Sequence, residues 1–277
     1  MIGSFEILKS ALAASMVMSP VHCLFGLHIV RRGVIFIDLA VAQMAALGMS
    51  IAIARGYDHD SPVTYWLSLG FALLAALLIA LTRFRLGRVP HEAIIGIVFV
   101  LASALGLIVL DGSAHGVEDI RDLLSGSILL VEPTVVKNTA IVYGAILVIA
   151  LAIWRQISAI SFDSEHAPRG FARVFYDFLF YGLLAFVVAS SVKIAGVLVV
   201  FTWLVMPPVA ALLWVSSMGA AVAIALPLAI AGSAGGMVLS AQNDWPTGPS
   251  IVVVFGAITA TLYIAKLALP TRADRDR

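Results

Sequence analysis

Residues 5–30, FEILKSALAASMVMSPVHCLFGLHIV, and residues 34–54, VIFIDLAVAQMAALGMSIAIA, are two apolar runs parted only by Arg31-Arg32-Gly33. Each is long enough to cross a bilayer as a helix, which takes about 20 mostly apolar residues. An arginine turn between two such runs reads as a short loop at a membrane surface. The same pattern continues outward from this pair. Thr64–Thr82, Ala93–Leu110, Asn138–Trp154, Val174–Ser190, Ile194–Trp214, Met218–Ser240 and Ile251–Leu267 read as further spans. The expected fold is an all-α integral membrane protein with nine transmembrane helices, or eight if one weak stretch lies in the interface. Asp111–Lys137, between the fourth and fifth spans, holds only the short apolar piece Ile128–Val131, which fits an interfacial or re-entrant segment. One transmembrane domain over residues 1–270 is expected, with a short cytoplasmic tail at 271–277.

Composition agrees. Of 277 residues, 61% are hydrophobic and 12% charged, against about 45–50% and about 25% in a soluble domain. Lipid must therefore solvate most of the surface. A net charge of +1 without a basic tract argues against a nucleic-acid partner. The single cysteine, Cys23, excludes an internal disulfide and a CxxC metal knuckle. The N-terminal run lacks a basic n-region and is too long for an h-region, so it reads as a span rather than a cleaved signal peptide. No P-loop motif occurs, so this chain is not expected to hydrolyse ATP itself.

Lysine and arginine divide unevenly between the two sets of helix ends. One set holds Arg31, Arg32, Arg83, Arg85, Arg88, Arg155, Arg169, Arg173, Arg272, Arg275 and Arg277; the other holds Lys9, Arg55, Arg121, Lys137 and Lys193. The positive-inside rule makes the first set cytoplasmic. Nine spans then put the N-terminus outside and the C-terminus inside.

Ionisable groups inside a span are costly and mark functional candidates. The first span carries His22, Cys23 and His28; the second carries Asp38 and Gln43. Counted from the arginine turn, His22 lies about 12 Å deep and Gln43 about 13 Å deep. His28 and Asp38 form a shallower pair. Two readings stand side by side. The groups line a cation path, imidazole and thiolate suiting zinc and oxygen donors suiting manganese. Or they join the two helices by His–Gln and His–Asp hydrogen bonds. Asp58, His59, Asp60 and His115 fall in external loops. Glu92 and Asp177 are expected in the first turns of their helices, where a carboxylate favours the positive helix end.

Gly232-Ser-Ala-Gly-Gly236 reads as close helix packing or as a flexible gate. Pro20, Pro207, Pro208 and Pro227 each remove a backbone donor and invite kinks. The longest cytoplasmic connection, Arg155–Arg173, is either a solvated loop or a short helix that docks onto an ATPase.

Several segments in this order resemble the ABC-3 family, the permease subunits of bacterial zinc, manganese and iron ABC importers. They are Leu24-Phe-Gly-Leu-His-Ile-Val-Arg-Arg32, Glu92-Ala-Ile-Ile-Gly-Ile-Val-Phe99 with Glu92 and Gly96, and Asp122-Leu-Leu-Ser-Gly-Ser-Ile-Leu129. Ser161-Phe-Asp-Ser-Glu-His-Ala167 is similar to an FDPE-type loop. Lys193-Ile-Ala-Gly196 followed by Met206-Pro207, and the late segment Pro246-Thr-Gly248-Pro249, complete the set. The resemblance implies the type II importer fold and a homodimer in the bacterial inner membrane. It also implies a cytoplasmic ATPase contacted through Phe162, Asp163, Glu165 and His166, and an extracytoplasmic metal-binding receptor. No permanent cofactor is implied; a divalent metal, zinc first and manganese or iron next, is cargo. One departure stands out. The family commonly carries Asp-x-x-x-His near the start of the second span, but here Asp38 is followed by Ala42, and Gln43 takes the histidine's place measured from Gly48. A permease for a chelated or organic substrate and a stand-alone secondary transporter remain as alternatives.

Overall fold

The computed structural model describes residues 2–58, 61–85, 90–110, 126, 128–163 and 165–269. His59, Asp60, Arg88, His115, Arg121, residues 122–125 and the tail arginines lie outside these, as do Ser127 and Ser164. In lipid the backbone must satisfy its own polar groups, so long apolar runs become helices. Among the described residues these are α1 (Ile2–Arg32), α2 (Ile37–Ala54), α3 (Pro62–Arg85), α4 (His91–Leu110), α5 (Pro133–Ala152), α6 (Trp154–Phe162), α7 (Phe171–Ala195), α8 (Val197–Leu212), α9 (Met218–Asn243) and α10 (Thr247–Ala268). All except α6 and α8 are long and apolar enough to cross a membrane, eight in total among the described residues. α8 has 16 residues, a length of about 24 Å. It is enclosed by α1, α7, α9 and α10, so protein rather than lipid meets most of its surface. Ile128–Leu130 forms one 3-10 turn, too short to span, which rests against α1 and α10.

Side-chain contacts fix the relative helix directions. His22 lies beside Tyr143 and Trp203, and His28 beside Trp154. Contacts of α1 therefore advance together with those of α5, and Gly26 meets Leu204 and Pro208 further along α8. α1 runs parallel to α5 and α8. His22 meets Ser191, whereas Arg32 meets Asp177, so α1 and α7 are antiparallel. These directions match the alternation expected from the loop charges if α8 counts as a crossing.

Two expectations change. α1 and α2, read as packed neighbours, have different partners: α2 packs mainly on α3, α4 and α7, and α1 on α8, α9 and α5. The sixth span starts at Phe171, earlier than its hydropathy implies, because Val174 N–H already bonds to the Gly170 carbonyl. Asp177 therefore lies in the second turn, not the first.

Small residues set the closest approaches. A Cβ on Gly26 would lie 1.9 Å from the Leu204 carbonyl oxygen. Gly232 and Gly236 meet Phe255 and Ile251 of α10 in the same way; the glycine-rich stretch packs within a continuous α9. That helix runs on through Pro227, as α1 does through Pro20 and α8 through Pro207 and Pro208. α7 and α8 meet at Gly196, whose φ of +79° suits glycine. Gly126 abuts that junction, and a Cβ there would lie 2.2 Å from the Ala195 carbonyl carbon. Two motifs far apart in sequence thus close on each other.

Gly26→Ala must push α1 off α8. It is expected to cost about 1–3 kcal/mol by overpacking, read as a lowered melting temperature of the detergent-purified protein. Gly106→Ala, where a Cβ meets open space, is expected to leave that temperature unchanged.

Candidate functional site

Near the middle of α1, His22 is fully buried. Its Nδ1 lies 2.7 Å from the Met18 carbonyl oxygen and its Nε2 2.8 Å from Ser191 Oγ. A carbonyl only accepts, so Nδ1 carries hydrogen. The Ser191 hydroxyl also reaches the Val187 carbonyl at 2.7 Å, so its one proton serves either that oxygen or His22. Tyr143 Oη donates to the same Val187 carbonyl at 2.9 Å. Trp203, whose ring centroid is 5.6 Å from that of His22, donates Nε1–H to Ser233 Oγ at 2.8 Å. Five helices thus share one buried polar layer centred on His22. Gln43 is not among its hydrogen-bond partners, because α1 and α2 do not pack together.

A second layer lies at the C-terminal end of α1. Ser161 Oγ donates to the Ile157 carbonyl at 2.9 Å and receives Arg32 Nε–H at 2.8 Å. His28 Nδ1 is 3.0 Å from the same oxygen. With the serine proton committed to Ile157, His28 donates and Nδ1 carries its hydrogen. Its Nε2 is buried without a hydrogen-bond partner, and its ring meets Trp154, Phe162 and Phe180 edge-on. Arg32 Nη1 pairs with Asp177 Oδ1 at 2.8 Å, both side chains fully buried, and the guanidinium lies 4.2 Å from the Phe180 ring centroid. Asp177 is therefore half of a buried ion pair rather than a first-turn carboxylate. Arg32, read from sequence as a surface arginine, folds inward.

The remaining predicted residues scatter. Asp38 is buried in the first turn of α2, its Oδ1 without a hydrogen-bond partner, and it makes no hydrogen bond to His28. Gln43, five residues on and about 140° around the helix, lies on a different, partly exposed face. Cys23 packs among Leu27, Ala211, Ala221, Ala225 and Ala229 as a small apolar residue. Glu92 is in the first turn of α4 as expected, and its Oε1 also accepts Ile35 N–H at 2.7 Å, anchoring the α1–α2 turn. Among the described residues no three of His, Cys, Asp and Glu form a metal-binding group.

At the opposite end of α5 and α7 lies a cavity of about 520 Å³, lined by Tyr65, Glu132, Asn138, Tyr143, Ser190 and Lys193. Its inner wall, Tyr143 and Ser190, adjoins the His22 layer. At the α6 end, Phe162 closes the helix, and Asp163, Glu165 and His166 stand exposed, with His166 Nδ1 bonded to Asp163 Oδ2 at 2.8 Å. Pro207 is buried within α8. Pro246 caps α10, and Gly248 and Pro249 occupy its first turn, where proline's missing N–H is harmless. A Cβ on Gly96 would meet open space. Sequence reading passed over Ser191 and Tyr143 and named Ser161 and Ser233 only inside longer motifs, without their bonding roles; the Ser190-Ser191 pair inside an apolar run was the available signal.

Crossing-length helices enclosing two buried polar layers define a polytopic helical membrane protein. The chain belongs to the ABC 3 transport family, whose profile matches residues 4–268. It is 26% identical to a Haemophilus influenzae protein named "Probable iron transport system membrane protein", over 97% of this chain and 94% of that one. It is 24% identical to the manganese transport system membrane protein MntC of Halalkalibacterium halodurans, over 94% and 87%. It is 26% identical to the high-affinity zinc uptake protein ZnuB of Buchnera aphidicola, over 95% and 99%. The fold matches PsaBC from Streptococcus pneumoniae with a TM-score of 0.77 at 23% identity, covering 99% of this chain and 98% of that chain.

Ser191→Ala removes the partner of a buried imidazole nitrogen. The expected cost is about 1–3 kcal/mol, measured by thermal unfolding in detergent.

Proposed function

We propose that this chain is the permease subunit of an ATP-driven importer of divalent metal cations in a bacterial cytoplasmic membrane. The observation that carries the reading is the family match over nearly the whole chain, with relatives named for iron, manganese and zinc. Zinc is the first expectation. The reading includes a homodimer, residues 1–270 as one membrane domain, the N-terminus outside and the tail inside. A cytoplasmic ATPase meets Phe162, Asp163, Glu165 and His166, and an external receptor delivers the ion.

The cavity beside Tyr143 receives the cation on the outer side. The route then passes the His22 layer towards the level of His28 and Asp38, with Gln43 on the open face of α2. Cys23 is packed away from it. The donors are few, and both His22 nitrogens are engaged, which suits passing contacts, since conduction needs release as well as capture. ATP binding closes the ATPases, the docking loops move with them, and the helices rock between outward and inward openings.

In cells stripped of other uptake systems, this chain with its ATPase and receptor is expected to raise zinc above the vector control, measured by elemental analysis. A rise in manganese or iron instead reassigns the ion, and no rise in any metal rejects the reading. His22→Ala and Asp38→Ala are expected to lower uptake at equal membrane abundance. Asp163→Lys with Glu165→Lys is expected to abolish co-purification of the ATPase.

A further inference from the structure

The buried pair Arg32–Asp177 is tied through Ser161 to the end of α6 that carries the docking loop, but takes no part in the proposed metal path. We infer that Arg32, Asp177 and Ser161 are positioning residues that couple the docking loop to α1 and α7, turning ATPase movement into movement of the helices that carry the polar layers. The inference rests on the proposed ATPase contact.

Three observations carry it. First, one atom makes three bonds that tie α6 to α1. Ser161 Oγ, the last hydroxyl before Phe162 and Asp163, receives Arg32 Nε–H at 2.8 Å and lies 3.0 Å from His28 Nδ1, while its own proton stays on α6 through Ile157. The serine's hydrogen-bonding capacity is then filled, so α6 cannot shift without breaking a bond to α1. Second, the same guanidinium continues to α7. Nη1 reaches Asp177 Oδ1 at 2.8 Å, Arg173 Nε stands 3.9 Å from Oδ2, and the planar face lies on Phe180. α6 is pinned at its other end too, where Trp154 meets His28 edge-on at 5.0 Å between centroids. Third, an ion pair with both side chains fully buried carries a desolvation cost that apolar packing of the same volume avoids. Directional bonds to both α6 and α7 are what a greasy replacement lacks. A push on Asp163–His166 thus reaches α1 and α7 through one rigid fork rather than through deformable apolar contacts.

The test uses the permease reconstituted in vesicles with its ATPase and receptor, and the metal that wild type accumulates. Two quantities are read together: ATP hydrolysed and metal transported. Arg32→Met with Asp177→Leu removes the pair without stranding a buried charge. It is expected to insert, to retain the ATPase and to hydrolyse ATP, while metal moved per ATP falls at least about fivefold. Ser161→Ala, which cuts the α6 links to both Arg32 and His28, is expected to lower the same ratio with the ion pair intact. Arg32→Lys keeps the charge but loses the fork and is expected to resemble Ser161→Ala. An unchanged ratio in the double variant and in Ser161→Ala overturns the inference. So does a double variant that fails to insert or unfolds, because the pair is then a stability element. If the ATPase does not associate with wild type, the docking assignment fails instead, and the two failures are distinguishable.

Discussion

Lipid supplies no water to the backbone and no hydrophobic push between helices. Association must therefore come from close packing and from polar bonds made inside the bundle. Both are concentrated on α1. Its Gly26 admits the Leu204 carbonyl, which brings α8 near enough for Trp203 to lie against His22. Cys23 and Leu27 fill the adjacent alanine-lined seam towards α9. One close approach thus sets the spacing at which the His22 layer closes. The glycines of α9 do the same for α10, and Gly126 seats the segment before α5 on the α7–α8 junction.

The two polar layers differ in character. Around His22 the partners are hydroxyls and carbonyls, whose bonds can exchange donors at little cost because serine rotates. Around Arg32 the partners are a carboxylate, a serine and an aromatic face, held in a fork that tolerates few arrangements. A layer that rearranges suits a passage, and a layer that does not suits a joint. Their placement agrees: the first lies next to the wide cavity, and the second adjoins the exposed loop residues.

Most of the fold was legible because hydropathy reports directly on lipid exposure. Helix existence and the short segment at Ile128 were readable that way. Partnership was not. Two helices joined by Arg31–Gly33 look like neighbours, yet α7, α8 and α5 provide the contacts of His22. Loop length limits the distance between helix ends and says nothing about which faces meet. Asp177 was misplaced for a related reason: hydropathy marks the apolar middle of a helix, while its start is set by Gly170 and hidden behind Arg173. Arg32 was misread because the positive-inside rule counts arginines without asking where each side chain folds. The exposed Asp163, Glu165 and His166 and the first-turn Glu92 were legible, since exposure and helix-start chemistry are local properties.

Asp38 and Gln43 show how far a spacing argument reaches. Had the second ligand stood four residues after Asp38, α2 alone would present two donors on one face. With the polar group one residue later, Asp38 turns into the protein and Gln43 towards the open side. α2 therefore cannot grip an ion by itself, and any ion held at this level must draw a donor from another helix. His28 Nε2 is a buried nitrogen at the cytoplasmic end of α1 with no hydrogen-bond partner, and it belongs to the ring that Ser161 orients. On the proposed route the last donor an ion meets would thus be set by the same serine that holds Arg32.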